Sequence, residues 1–461
     1  MWFRQDLRLS DHPALTAAAA AGPVIPVFIL DDETPGEWCW GGASRWWLHR
    51  SLEKLDTALP LVFRRGRADA VLATLIDEVK PSGIYFTRDY APWAGALEEK
   101  VKQLCDANNM HCHRYGGFLL HEPESIRNGL GEFFKVYTPY SRACFGKGDI
   151  RALKPAPRIE RWQGEVQSLA LHELKLLPAT PNCAAGLEEH WTPGEAGAQQ
   201  RLYDFLDDGL SGYADGRDRP DQSHISRLSG HFHWGEVSPH QAWHAVQQRI
   251  AAGEGKLDRD GEKFLKEVLW REFSYNLLHH VPSFPTKPFR AEFADFPWVD
   301  DPQALQRWQR GETGYPVVDA GMRELWATGI MHNRVRMIVA SFLIKDLLVP
   351  WQEGERWFWD TLVDADIGAN SASWQWVAGC GADASPYFRI FNPVLQGMKF
   401  DPEGNYVRRW VPELASLSKD DIHKPWEMSV PPRNYPKPMV DHAMARDRAL
   451  AAFKNMKRIE T

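Results

Sequence analysis

The chain has 461 residues, of which 44% are hydrophobic and 25% charged, a globular composition on a chain too long for one ordinary core, so two domains are expected. No stretch reaches the roughly 18 uninterrupted apolar residues of a membrane span, and the opening WFRQDLRLSDH has no signal-peptide core, so a soluble cytoplasmic protein with no membrane association is expected. A net charge of -7 argues against a protein that coats nucleic acid, since non-specific affinity comes from phosphate neutralisation, but it allows a local cationic patch.

In chain order, Val24 to Leu30, Leu59 to Gly66, Ser82 to Asp89 and Met110 to Tyr115 are short β-prone runs. Between them, SRWWLHRSLEKLDTAL, RADAVLATLIDEV and APWAGALEEKVKQLCDAN have helical periods, with Trp46 and Trp47 read as helix packing. This alternation predicts a doubly wound α/β layer with a parallel sheet. Residues 122–195, rich in Pro, Arg and Lys with little periodicity, read as a linker wrapping the surface. From Ala196 onward the signal is helical. GEKFLKEVLWREFSYNLLHHV places Phe264, Leu265, Val268, Leu269, Phe273 and Leu277 near one face, and GMRELWATGIMHNRVRMIVASFLIKDLLV reads as two helices broken at a glycine. The six cysteines, Cys39, Cys105, Cys112, Cys144, Cys183 and Cys380, form no CxxC, so no disulfide framework and no metal site is expected.

The anomaly is 21 tryptophans. Five of them (Trp351, Trp357, Trp359, Trp374, Trp376) stand in WQEGERWFWDTLVDADIGANSASWQWVAGCGADASPYFR beside Asp364, Asp366 and Asn370. Buried carboxylates need partners, so a plain Trp-rich core with a capped turn explains this mixture less well than a pocket for a flat heteroaromatic cofactor. Read from Trp351 to Pro393, the pattern WxxGERxFWxxLxDxDxxxNxxxWQWxxGxGxDxxPYFRIFNP closely resembles the signature of the DNA photolyase and cryptochrome family. The opening WFRQDLRLSDHPAL resembles the family's N-terminal motif. Relatives carry a few apolar residues before it, whereas this chain begins at the motif, so either the first strand is shortened or the start has been assigned late, and the place of this strand in the sheet stays open.

The resemblance implies an α/β antenna domain over 1–121, a linker over 122–195 and an all-helical FAD-binding domain over 196–461. It implies FAD and a second, light-harvesting chromophore, with a folate such as methenyltetrahydrofolate ranked ahead of a deazaflavin or FMN and with Arg88 to Trp93 where its contacts are expected. Tyr213 and the run Ser226, Arg227, Leu228 and Ser229 resemble the FAD diphosphate segment, with Ile225 where many relatives have Thr; read alone, such residues are as readily a helix cap. Arg336 is expected to pair with Asp364 beside the flavin, Asp364 and Asp366 to accept from its ring and ribityl groups, and Asn370 to face its N5, favouring the reduced anionic flavin.

Glu267, Trp270 and Arg271 match the segment that meets a pyrimidine dimer, with Trp376 as the opposing wall; from spacing alone, Glu267 and Arg271 are an i,i+4 surface pair. Trp298, Trp351 and Trp374 coincide with the family's electron-transfer tryptophans, although spacing alone reads them as packing. Arg217, Arg334, Arg389 and Gln396 match positions near the lesion. Photolyases of (6-4) photoproducts typically carry histidines at the positions of Asn333 and Met337, so these two resemble the cyclobutane-dimer enzymes. The expectation is a monomeric, light-driven lyase acting on UV-damaged DNA, rather than a cryptochrome light sensor, against which stand Asn370 and the short tail after Lys424. A (6-4) enzyme and a cofactor-free helical protein are the other rivals.

Overall fold

The computed structural model describes the chain except residues 149, 179–183, 254–256, 384–387 and 459–461. Cys183 and Pro386 and Tyr387 of the long motif thus lie outside the described residues.

Five strands form one parallel sheet in the order β3-β2-β1-β4-β5. They are β1 (Trp2–Phe3), β2 (Val27–Leu30), β3 (Val62–Arg65), β4 (Gly83–Thr87) and β5 (His111–Tyr115). The two-residue first strand is central: Trp2 pairs with Val27 on one side and Phe86 on the other. Parallel neighbours need crossovers, and these are the helices Pro13–Ala21, Gly42–Ala58, Ala68–Val79 and Ala94–Ala107. The first is an alanine run with Pro13 in its first turn and His12 Nδ1 accepting from Leu15 N at 3.2 Å. Trp2, Val27, Ile29, Val62, Ile84 and Phe86 pack with Leu72, Ile76, Leu97 and Val101 of the helices into one core.

The chain divides into two compact units, residues 1–211 with 226–282, and residues 212–225 with 283–461. Within the first, the opening motif is a fastener. Asp6 meets His12 Nε2 at 3.0 Å, and although burial pushes its carboxyl up, that pairing and further hydrogen bonds bring it down to about 2. Arg8 donates to the carbonyls of Gly235 (2.8 Å) and Asp11 (2.9 Å). The Asp11 carboxylate accepts from both terminal nitrogens of Arg151 at 2.5 and 2.9 Å and from Ser238 Oγ at 2.5 Å. Trp46 and Trp47 are helix packing, as read, and Trp47 Nε1 donates to Glu236 at 3.0 Å.

The segment read as having little periodicity carries a helix, Tyr137–Lys147. Its Pro139 and lack of a side-chain cap hide it from local signals; buried Tyr137, Tyr140 and Cys144 hold it by packing on the helix Leu257–His280, with the Tyr140 and Phe273 rings 5.3 Å apart.

The second unit is helical. The expected glycine break is Gly329, at φ 68°, ending the helix Pro316–Thr328 before Asn333–Ser341. No described helix is long and apolar enough to cross a membrane, and no group of three or more His, Cys, Asp or Glu among the described residues can hold a metal ion.

Candidate functional site

In the second unit, the acidic turn and its neighbours form one constellation. Asp366 caps the helix Ile367–Ala378, accepting from Ala369 N at 2.8 Å, which sets Asn370 in its first turn. Val363 N donates to Gly329 O at 2.8 Å, so the helix break and the acidic turn hold each other. Arg336 Nη2 donates to both oxygens of Asp364 at 3.1 and 2.9 Å and its Nε donates to Met331 O at 2.7 Å; the pairing is the one the motif implied. Asn370 is 8% exposed, and its Nδ2 donates to Glu355 O at 3.1 Å. Neither Asn370 Oδ1 nor Arg336 Nη1 has a partner among the described residues, which leaves one acceptor and one donor unspent beside a held carboxylate. That donor set fits the imide and carbonyl edge of a flavin.

The tryptophans expected to carry electrons differ in depth. Trp351 and Trp374 are 1% and 2% exposed, while Trp298 is half-buried against Phe296, ring centroids 4.4 Å apart. Trp374 lies over Gly354, where a Cβ would come within 2.0 Å of its ring. The glycine of the GER motif is therefore a seat for this indole. Trp376 is half-buried on the same helix as Trp374.

A cavity of about 680 Å³ lies wholly within this unit, lined by Arg334, Arg389 and Gln396 together with Arg219, Lys399, Asp215, Asp218 and Phe400. Three of the four side chains expected near a lesion are thus brought together. The fourth, Arg217, lies beside Asp218 at 3.4 Å and over Tyr213, 5.9 Å from the ring centroid. Tyr213 is buried at the start of a four-residue helix. Asn333 is exposed at the start of its helix, and Met337 Sδ lies 3.7 Å from Arg334 Nη1. Sequence reasoning missed Lys345, a buried lysine whose Nζ donates to Arg389 O; burial lowers its ammonium to about 7. Its place in an apolar helical run offered no signal.

In the first unit, Glu267 pairs with Lys263 at 2.8 Å on the helix Leu257–His280. The i,i+4 pairing with Arg271 does not form. Arg271 instead donates to Phe118 O at 2.9 Å and stacks over the Phe118 ring at 4.1 Å, because its helix face meets the end of the α/β layer. Trp270 stacks on Tyr137, centroids 3.6 Å apart and planes 9° from parallel, and the Tyr137 hydroxyl donates to Lys266 O at 2.5 Å. Ser226 to Ser229 open only a five-residue helix, Ser229–His233, too short for a strong terminal dipole, and Arg227 sits at φ 52°. In the expected antenna stretch, Arg88 and Tyr90 both bond Glu122, at 2.7 and 2.8 Å, so their polar groups are spent within the chain.

Residues 1–160 match the family described as DNA photolyase, and residues 264–455 the FAD binding domain of DNA photolyase. A deoxyribodipyrimidine photo-lyase of Agrobacterium fabrum is 46% identical over 99% of this chain and 98% of its own length. Cryptochrome-1 of Arabidopsis thaliana is 36% identical over 100% of this chain and 70% of its own. Among solved structures, a bacterial class III photolyase from Agrobacterium tumefaciens has a TM-score of 0.94 at 46% identity, covering 99% of this chain and 97% of its own. An archaeal photolyase from Sulfolobus tokodaii with two FAD molecules has a TM-score of 0.83 at 30% identity, covering 98% and 99%. The parallel α/β layer, the helical second unit and these matches, which span nearly all of this chain, agree: the chain belongs to the DNA photolyase and cryptochrome family.

Proposed function

We propose that this protein is a light-driven enzyme that splits cyclobutane pyrimidine dimers in DNA. The observation that carries the reading is the Arg336, Asp364, Asp366 and Asn370 constellation, which leaves one donor and one acceptor for a flavin edge. Bound FAD, in its reduced form, supplies the photo-excitable electron. Asp364 is held in place by two hydrogen bonds from Arg336, and the amide of Asn370, which does not titrate, keeps a fixed polarity against the cofactor. Tyr213 and the Ser226 to Ser229 run are assigned to the cofactor's diphosphate side by motif. Glu267, Trp270 and Trp376 are assigned to the lesion, and Trp298, Trp351 and Trp374 to photoreduction.

Cyclobutane dimers are favoured over (6-4) photoproducts by His332, the histidine of the discriminating stretch. It is 4% exposed, its Nδ1 accepts from Arg334 N at 3.2 Å, and burial lowers the imidazole to about 4, so it stays neutral and capped on its helix instead of serving as an acid. Asn333 and Met337 supply no proton either. A second chromophore, a folate ahead of a deazaflavin or FMN, is proposed for the α/β layer, with contacts beyond Arg88 and Tyr90. The enzyme is proposed to act as a cytoplasmic monomer on UV-damaged DNA, whose poorly stacked dimer is readily turned out of the duplex.

The test is blue-light exposure of the reduced protein with a thymine-dimer oligonucleotide beside a (6-4) substrate. Light-dependent loss of the dimer is expected. Repair of the (6-4) lesion alone would overturn the assignment, and repair of neither by flavin-loaded protein would favour a cryptochrome-type sensor. Trp376→Ala should lose lesion affinity and keep flavin, and Trp374→Phe should slow photoreduction while leaving repair by pre-reduced enzyme largely intact.

A further inference from the structure

Two of the four cations lining the cavity are held by carboxylates. Arg219 donates to Asp221 at 2.8 and 2.6 Å. Arg334 Nη2 donates to Asp218 Oδ2 at 2.7 Å, the two side chains being 19% and 33% exposed. Among the described residues, no carboxylate pairs with Arg389 or Lys399. Arg334 differs from Arg219 in what else touches it: the Phe400 ring lies 4.5 Å from its guanidinium and, among the described residues, Nη1 meets only the Met337 thioether, at 3.7 Å. A thioether is a weak acceptor, so the plane of the guanidinium is fixed while part of its donor fork stays unspent. Arg217 Nη1 approaches Asp218 Oδ1 at 3.4 Å, so this carboxylate keeps a cationic neighbour when Arg334 leaves it.

We infer that Asp218 sets the affinity for DNA by occupying Arg334 until a backbone phosphate replaces its carboxylate. The inference rests on the DNA-binding reading above and adds to it a residue not assigned there to the lesion or the cofactor. A phosphodiester is a monoanion with two oxygens that matches the same guanidinium fork. The exchange therefore conserves Arg334's hydrogen bonding, at the cost of the internal pair and of a carboxylate left facing an incoming phosphate. For a pair of this exposure the loss is about fivefold in affinity. Its consequence is selectivity for how the strand lies: a phosphate that reaches Arg334 displaces Asp218, and one that passes over the cavity mouth is repelled by it.

The experiment measures binding of the flavin-loaded full chain to a thymine-dimer duplex across a salt series, for the unaltered protein, Asp218→Asn, Arg334→Gln and the double variant. Asp218→Asn is expected to bind about fivefold tighter at low salt, with the slope of log affinity against log salt steeper by about 0.9. In the Arg334→Gln background, the same substitution is expected to change affinity little. Equal or weaker binding by Asp218→Asn overturns the inference, and so does a gain that persists without Arg334, which would mark a general charge effect. If the unaltered protein does not bind the duplex, the DNA-repair reading itself fails; if it binds and Asp218→Asn matches it, only the role of Asp218 falls.

Discussion

Gly354 makes room for a neighbour through what it lacks. A Cβ at this position would come 2.0 Å from the Trp374 ring, so the indole must move or the two helices must part. Gly354→Ala is expected to lower stability by about 1–3 kcal/mol, the usual cost of overpacking, and to slow photoreduction of bound FAD; denaturant melts and light-induced flavin absorbance check the two together. Unchanged stability would mean the indole shifts freely and that its seat is unimportant. Residue by residue, the sequence spoke clearly where a motif encodes a short-range partner and poorly where partners are remote. Arg336 and Asp364 were legible as a pair because motif positions name both. Arg271 was not, since its partner Phe118 lies 153 residues away and the nearer Glu267 offered a plausible alternative that the backbone geometry declines in favour of Lys263.

At the scale of elements, the helix Leu257–His280 is fastened on both sides of Trp270. Tyr137, on the helix Tyr137–Lys147, covers one face of the indole in parallel stacking. Tyr137→Ala should weaken binding of a dimer-containing oligonucleotide by about 1 kcal/mol with flavin content unchanged, whereas Tyr137→Phe, which keeps the ring, should bind nearly as the parent does. Fluorescence titration distinguishes these outcomes, and equal affinity of all three proteins would exclude a positioning role. Two residues beyond Trp270, buried Glu272 accepts from Leu120 N at 2.8 Å and His121 N at 3.2 Å. Burial outweighs the Arg271 charge and these amides and pushes its carboxyl from 4.5 up to about 7. Between those values the folded chain holds a proton that the unfolded chain has released, so Glu272 makes stability fall as pH rises through this window. Thermal scans from pH 4.5 to 7 should show that slope, and Glu272→Gln should flatten it. Strand positions were readable from β-branched and aromatic runs: the run Val24 to Leu30 contains Val27–Leu30. The helix Tyr137–Lys147 was not, because Pro139 and Gly146 interrupt its period and its stability comes from rings it meets only in the folded state.

For the whole molecule, a net charge of -7 coexists with a cavity lined by four cations and two carboxylates, so the overall balance says little about the surface that would meet DNA. In the first unit one buried carboxylate bridges residues far apart in the chain. Asp11, 1% exposed, joins residues 140 and 227 positions further along the chain through Arg151 and Ser238. Asp11→Ala removes the carboxylate that the partly exposed Arg151 and Ser238 bond and should cost about 1.5–3 kcal/mol, read by denaturant unfolding; a loss below about 1 kcal/mol would show that water or neighbouring groups substitute for it. The path of the polypeptide has a further consequence. It passes from the first unit to the second after residue 211, returns after 225 and leaves again after 282. No single scission can therefore yield both halves intact. Split-gene complementation or truncation at any one site sacrifices at least one core, and a viable minimal fragment would need a grafted loop in place of residues 212–225.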